Sequence, residues 1–310
     1  MKTFYAMLLL AATALSSCSR SCYVFTSFRE PADEGLRLLW SDDGMRWDTI
    51  PGVWLRPEVG RQRVMRDPSI VRTPDGLFRL VWTSSWRGDR GFGYAESHDL
   101  QHWSKPRLVE VMTDTATVNV WAPELFYDDV RRETMVVWAS CVPGRFARGI
   151  EADDNNHRLY YTTTRDFRTF APARLLLDPG YSVIDATIIK RGPRDYVMVV
   201  KDNTRNERNL KVSFATDPRG PWSAPSAPFT ERLTEGPAVV KVRGGYLVYY
   251  DRYGTHDFGA QLTHDFLHFD DCTQRVSVPP LHKHGTIFKA PRRLVRQLLE
   301  TRNHPQPTDR

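Results

Sequence analysis

Apolar positions along this chain fall into short runs of four to six residues, at 36–40, 77–82, 135–139, 196–200 and 246–250, with a second set at 92–95, 159–163, 210–215 and 258–262. Runs of this length, rich in aromatic and β-branched residues and bounded by Gly, Asp and Pro, predict strands. The pairs Asp75-Gly76 and Gly244-Gly245 stand where two runs must reverse into a hairpin. No long stretch with a helical period precedes residue 291; only 291–299 predicts a short amphipathic helix, solvated on the surface. The pattern therefore predicts an all-β chain of mostly antiparallel sheet.

A signature follows the paired runs: Ser or Thr, any residue, Asp, and an aromatic four residues beyond the Asp. It occurs at Ser41, Asp43 and Trp47, at Ser97, Asp99 and Trp103, at Thr164, Asp166 and Phe170, and at Thr263, Asp265 and Phe269, with a slipped copy at Thr216, Asp217 and Trp222. The aromatics recur at intervals of roughly 45 to 70 residues, about the period of a four-stranded propeller blade. Residues 36–47 carry a signature with no acid-bearing strand ahead of it, and the strand opening at 282–288 has no signature behind it. Joining the two closes a five-bladed β-propeller in which N-terminal strands complete the last blade and cover the open sheet edges.

Four acids interrupt or open strand-like runs. Asp185 lies inside the apolar run 181–189, Asp67 in the segment 65–70, Glu235 at the head of 234–240, and Glu124 just after Trp121-Ala122-Pro123. An ionised carboxylate buried without a partner costs several kcal/mol, so Asp185 in particular calls for a polar setting. Each acid precedes the aromatic of its own repeat by a similar interval. The innermost strand of a propeller blade lines the central channel, so this phase predicts that the four carboxylates meet at one mouth of the channel.

Composition narrows the rest. At 310 residues, 41% hydrophobic and 26% charged, the chain can bury a large core and is not disordered. A net charge of +6 with no run of five Lys or Arg gives no nucleic-acid footprint. The 9 Trp, 12 Tyr and 15 Phe suit sheet packing first, and ring faces also suit sugars.

Residues 1–17 read as a leader: Lys2 supplies a charge, 7–12 an apolar stretch too short to span a membrane, and Leu15-Ser16-Ser17-Cys18 the end. That ending resembles the lipobox of bacterial lipoproteins. The resemblance implies acylation of Cys18 and, with no acidic residue straight after it, anchoring at the outer membrane, facing periplasm or cell surface. The expected organisation is a signal peptide at 1–17, anchor and linker at 18–30, propeller at 31–290 and a basic tail at 291–310. Cys22, Cys141 and Cys272 remain, an odd number without metal-like spacing, which predicts neither a disulfide framework nor a zinc site.

The segments Arg66-Asp67-Pro68-Ser69-Ile70, Trp121-Ala122-Pro123-Glu124, Ile184-Asp185-Ala186-Thr187-Ile188, Glu235-Gly236-Pro237 and His284-Gly285-Thr286, in that order and spacing, together resemble glycoside hydrolase family 43. The resemblance covers about residues 30 to 290 and implies a five-bladed propeller with an inverting mechanism. By motif it implies Asp67 as general base, Glu235 as general acid, and Asp185 as the group that raises the acid's pKa and orients it. Two carboxyls about 6.5–9.5 Å apart, one protonated and one ionised, are what inversion through water requires. The resemblance further implies His284 beneath the site, where family members often hold calcium; no cofactor is expected to be required. Trp86, Trp121 and Arg252, near the ends of inner strands, are candidate substrate contacts, as is His284, and Glu124 either holds substrate hydroxyls or pairs with an Arg.

The expected activity is release of terminal α-L-arabinofuranose from a plant-type glycan, with β-D-xylose or β-D-galactose as alternatives on the same fold. A carbohydrate-binding propeller without activity is the alternative of another class, and loss of one acid would be its mark; all three are present. The expected partner is an oligo- or polysaccharide, with no nucleic acid, membrane contact through the anchor only, and a monomeric chain.

Overall fold

The runs predicted as strands all form strands. The computed structural model describes residues 21–147 and 149–303, so Cys18 and the leader lie outside the described residues. Strands β1 (Ser21–Ser27), β2 (Arg37–Ser41) and β3 (Asp48–Ile50) come first. Next are β4 (Arg66–Arg72), β5 (Phe78–Thr83), β6 (Gly91–Ser97) and β7 (Arg107–Glu110). They are followed by β8 (Trp121–Asp128), β9 (Glu133–Ser140), β10 (Arg158–Thr164) and β11 (Arg174–Leu177). Strands β12 (Val183–Gly192), β13 (Asp195–Asp202) and β14 (Asn209–Ala215) make a third group. A fourth comprises β15 (Thr234–Val242), β16 (Gly245–Arg252), β17 (Asp257–Thr263) and β18 (Asp270–Asp271). Strand β19 (Ile287–Pro291) and helix α1 (Arg292–Asn303) end the described chain.

These strands form five separate antiparallel sheets, the blades of a propeller. Four blades follow the chain in order, and the fifth runs β19-β1-β2-β3, so the first and last strands share a sheet as the repeat pattern predicts. The reading of 18–30 as a linker is corrected here, because 21–27 is β1, hydrogen-bonded on one side to β19 and on the other to β2. Its apolar side chains leave it no choice: Cys22, Val24 and Phe25 are fully buried. The third blade has three strands rather than four. Its outer edge is followed by Pro221, Pro225 and Pro228, which cannot donate to a ladder. Backbone donors between and just after them, Ser223, Ser226 and Phe229, reach β14 singly.

The repeated signature is a turn device between the third and fourth strands of a blade. In all four regular copies the Ser or Thr Oγ accepts the amide of the residue three positions on, and Asp Oδ1 accepts the next two, as at Ser41 and Asp43, Ser97 and Asp99, Thr164 and Asp166, and Thr263 and Asp265. The residue after the Asp takes a left-handed conformation, at Gly44 and at three non-glycines, φ 64° at Leu100, 54° at Phe167 and 63° at Phe266. Each of these three side chains is buried, which explains why an unfavourable backbone region is held at a non-glycine. Helix α1 is more than a solvated tail, since Leu294, Val295 and Leu298 pack into one apolar cluster with Cys22, Val24 and Leu36. Among the described residues no helix is long and apolar enough to cross a membrane.

Candidate functional site

The inner strand of each of four blades carries the same irregularity, a β-bulge that breaks register between Arg66 and Ser69, Trp121 and Glu124, Ile184 and Thr187, and Glu235 and Ala238. At each bulge one residue is left-handed: Asp67 (φ 52°), Ala122 (45°), Asp185 (53°) and Gly236 (58°). A bulge re-aims a side chain out of the pleat, and here it turns one position per blade toward the channel mouth. The four acids are therefore not at one phase, as the spacing suggested. Asp67 and Asp185 occupy the left-handed position, Glu235 stands one residue before it, and Glu124 two residues after it.

That offset sorts the acids by depth. Asp67, Asp185 and Glu235 line a cavity of about 230 Å³ together with Arg66, Thr83, Trp86, Trp121, Asn155, Ile184, Lys201, Asn203, Arg208 and His284. Glu124 instead joins Asp67, Asp185 and His284 around a smaller hollow of about 30 Å³. Its Oε1 accepts from Thr187 Oγ1 at 2.9 Å, and Thr286 Oγ1 lies 3.4 Å from Oε2. Burial among hydroxyls that compensate only partly pushes its carboxyl up to about 7.

Asp67 is held as an anion. His284 Nε2 lies 2.8 Å from its Oδ1 and Thr83 Oγ1 donates to its Oδ2 at 2.6 Å. Burial works to raise its pKa, but His284, Arg66 and Thr83 outweigh that and bring it down to about 2. His284 is clamped on its other nitrogen by Asp251, 3.3 Å from Nδ1. Burial opposes its charge, yet the two carboxylates hold the imidazolium, raising its pKa well above 6.5. Gly236 is required here: a Cβ on it would stand 2.0 Å from His284 Cγ.

Sequence reasoning missed Lys201, as it missed Asn155, Asn203 and Arg208 in the same wall. The Lys201 Nζ donates to Glu235 Oε2 at 2.7 Å and stands 4.9 Å from the centre of the Tyr253 ring. Against the upward push of burial, this ammonium, then His284 and Arg66, hold Glu235 below its ordinary value. Asp185, whose Oδ2 accepts the Gly236 amide at 3.1 Å, is pushed by burial and by the charge of Glu235 up to about 6. The two shifts run in opposite directions across this pair: burial and the charge of Glu235 push Asp185 up, while Lys201 holds Glu235 down. The one signal of Lys201 in the sequence was a cation closing the apolar run 196–200.

Trp86 and Trp121 both line the cavity. Their rings meet edge to face at 5.6 Å, Trp86 carries the Arg66 guanidinium 4.0 Å from one ring centre, and Trp121 stacks on His157. Trp86 is 43% exposed, an open ring at the rim. Arg252 does not line the cavity; it is held outside by Asp257, 2.9 Å from Nε, and by Glu231.

A calcium ion on His284 does not fit these residues. Glu235, Asp251 and His284 do bring ligand atoms within 4.8 Å of one another. Both imidazole nitrogens are spent on carboxylates, however, and a metal needs the neutral ring. Lys201 and Lys283 already hold Glu235 and Asp251, the latter at 3.1 Å, and calcium takes six to eight oxygen ligands.

Comparison with known proteins gives the family and the fold. The family model described as a probable glycosyl hydrolase domain, related to glycoside hydrolase family 43, matches residues 19–293. An α-L-arabinofuranosidase of Bifidobacterium longum subsp. longum is 26% identical over 151 residues, 41% of this chain but 14% of that protein's length. A structure from Bifidobacterium bifidum s17, named provisionally as an exo-β-1,3-galactanase, superposes with a TM-score of 0.60 over 85% of this chain and 91% of its own, at 16% identity. An endo-arabinase of Bacteroides thetaiotaomicron gives 0.58 over 75% and 84%, at 13% identity.

Proposed function

The chain belongs to the glycoside hydrolase 43-related family, and from that premise we propose that it is an inverting exo-glycosidase that removes terminal α-L-arabinofuranose from plant-type glycans. The observation that carries this reading is the division of charge among three carboxyls in one cavity: Asp67 ionised, and Asp185 and Glu235 sharing a site beside Lys201. An inverting hydrolysis needs that division. Asp67 takes a proton from water as the water attacks the anomeric carbon. The glycosidic C–O bond breaks, and its oxygen takes a proton from the acid pair.

Glu235 is the donor in this reading. Its side chain is 21% exposed toward the cavity, whereas Asp185 is 9% exposed and has one oxygen tied to the Gly236 amide. Asp185 stores the proton and keeps the pair singly protonated. The α-L-arabinofuranosidase named for the partial relative supports the sugar. Release of β-D-galactose is the second reading, favoured by the name of the Bifidobacterium bifidum structure, and it keeps the same three roles.

Three variants test this. Asp67→Asn is expected to lose at least about a thousandfold in kcat/KM on aryl and natural substrates alike, since water must be activated in both. Glu235→Gln should lose far less on an aryl arabinofuranoside with a good leaving group than on a natural glycan. If Asp185→Asn rather than Glu235→Gln shows that asymmetry, the donor is Asp185. NMR of the first product checks inversion, and a retained anomer overturns the mechanism.

A further inference from the structure

Four cationic side chains line the 230 Å³ cavity: Arg66, Lys201, Arg208 and His284. Three of them have carboxylate partners, Arg66 in Glu30, Lys201 in Glu235, and His284 in Asp67 and Asp251. Arg208 has none among the described residues; its guanidinium meets the Tyr253 hydroxyl, which is neutral at ordinary pH. A guanidinium is always charged, and its planar fork matches a carboxylate with two parallel hydrogen bonds.

Main-chain bonds fix the position from which this side chain enters the cavity wall. Arg208 ends the loop between β13 and β14 in the left-handed region, φ 48°. Its amide donates to Thr204 O at 3.1 Å, and its carbonyl accepts from the Thr234 amide at 3.1 Å, one residue before Glu235. An arginine at positive φ, pinned to the strand that bears the proposed acid, is an observed strain at a cavity wall.

The position along the cavity identifies which part of a substrate it meets. Tyr253 packs against Lys201, the partner of Glu235, and meets Arg208, whose carbonyl also holds the residue next to Glu235, so Arg208 stands on the proton donor's side of the cavity. Arg66, stacked on Trp86, acts on Asp67 first and on Glu235 more weakly, and is already neutralised by Glu30. A proton donor stands beside the leaving oxygen, so Arg208 faces the sugar that departs with that oxygen, not the pentose that is released.

The geometry points to a substrate whose leaving-group sugar carries a carboxylate, a uronic acid unit held by Arg208. This rests on the hydrolase reading above and adds the chemistry of the unit next to the scissile bond. The binding step needs no cofactor and no covalent change. It makes the enzyme a debranching activity for acidic glycans, in which a neutral pentose decorates a uronate.

The test is binding to Asp67→Asn protein, which holds ligands without turning them over. The two probes are an arabinofuranosyl glucuronate disaccharide and its carboxyl-reduced counterpart, arabinofuranosyl glucose. By calorimetry the uronate is expected to bind at least about tenfold more tightly, as one charge-assisted bidentate contact warrants, and the difference should shrink with added salt. Arg208→Met in the same background should remove the difference, and Arg208→Lys should keep part of it, which also shows that the site still folds. Equal affinity for the two probes, or a preference that survives Arg208→Met, overturns the proposal. An aryl arabinofuranoside has no sugar leaving group, so its turnover by the unaltered enzyme reports on the hydrolase reading separately.

Discussion

Lys201 and Glu235 form a contact that a hydrolase of this kind must overcome, because an ammonium 2.7 Å from a carboxylate favours the ionised form and a general acid must be protonated. Lys201 also lowers Asp185, so it acts on both members of the pair. Lys201→Met is therefore expected to raise the pKa of the pair and to move the basic limb of the kcat/KM profile to higher pH. An acid whose pKa rises stays protonated further up the scale, which sets that direction. A pH–rate profile of the variant checks it; a limb that moves down or stays would mean that Lys201 acts on binding alone. Lys201 was illegible in the sequence because a charged residue closing an apolar strand is the ordinary way a strand ends. Asp185 was legible for the opposite reason, a carboxylate inside an apolar run with no ordinary purpose there.

Inner strands and their bulges decide what the acids do. A carboxylate's position in sequence shows that it lies on an inner strand, but a bulge adds one residue and thereby moves every later side chain to another depth. That is why the four acids looked equivalent from their spacing while Glu124 stays out of the 230 Å³ cavity, held by hydroxyls of Thr187 and Thr286 beside the smaller hollow it shares with Asp67 and Asp185. Its carboxyl stands at about 7 against an ordinary value near 4.5. The folded state thus keeps a proton that the unfolded chain gives up above pH 4.5, so stability falls as pH rises from 4.5 to 7. The cost at pH 8 is about 3 kcal/mol. Glu124→Gln is expected to raise the melting temperature at pH 8 and to change it far less at pH 4.5, which a pair of calorimetric scans would show. The turn signature, by contrast, was wholly readable, since its Ser or Thr and Asp make local bonds that no distant element can alter. Its role is to hold blade turns and not the site.

At the scale of the molecule, the ring closes through β1, and the sequence showed the closure but not the strand that makes it. An incomplete repeat at each end signalled that the ends join. The segment 21–27 was hidden because it follows directly on an apolar leader and reads as its continuation. Helix α1 reinforces the joint, with Leu298 fully buried against Leu36, Leu38 and their neighbours in the same cluster. Leu298→Ala is expected to cost about 2–5 kcal/mol of stability, read from urea unfolding, while leaving the cavity intact. A variant that lost activity at unchanged stability would show that the helix serves the site directly.

The same joint sets a schedule for the cell. β1 hydrogen-bonds to β19, more than 260 residues away in sequence, with Ser21 opposite Pro291. At about 5–20 residues per second a ribosome needs roughly 13–50 s to make that intervening chain. For all that time the first strands made have one open edge, and a chaperone or a neighbouring nascent chain has its longest opportunity there.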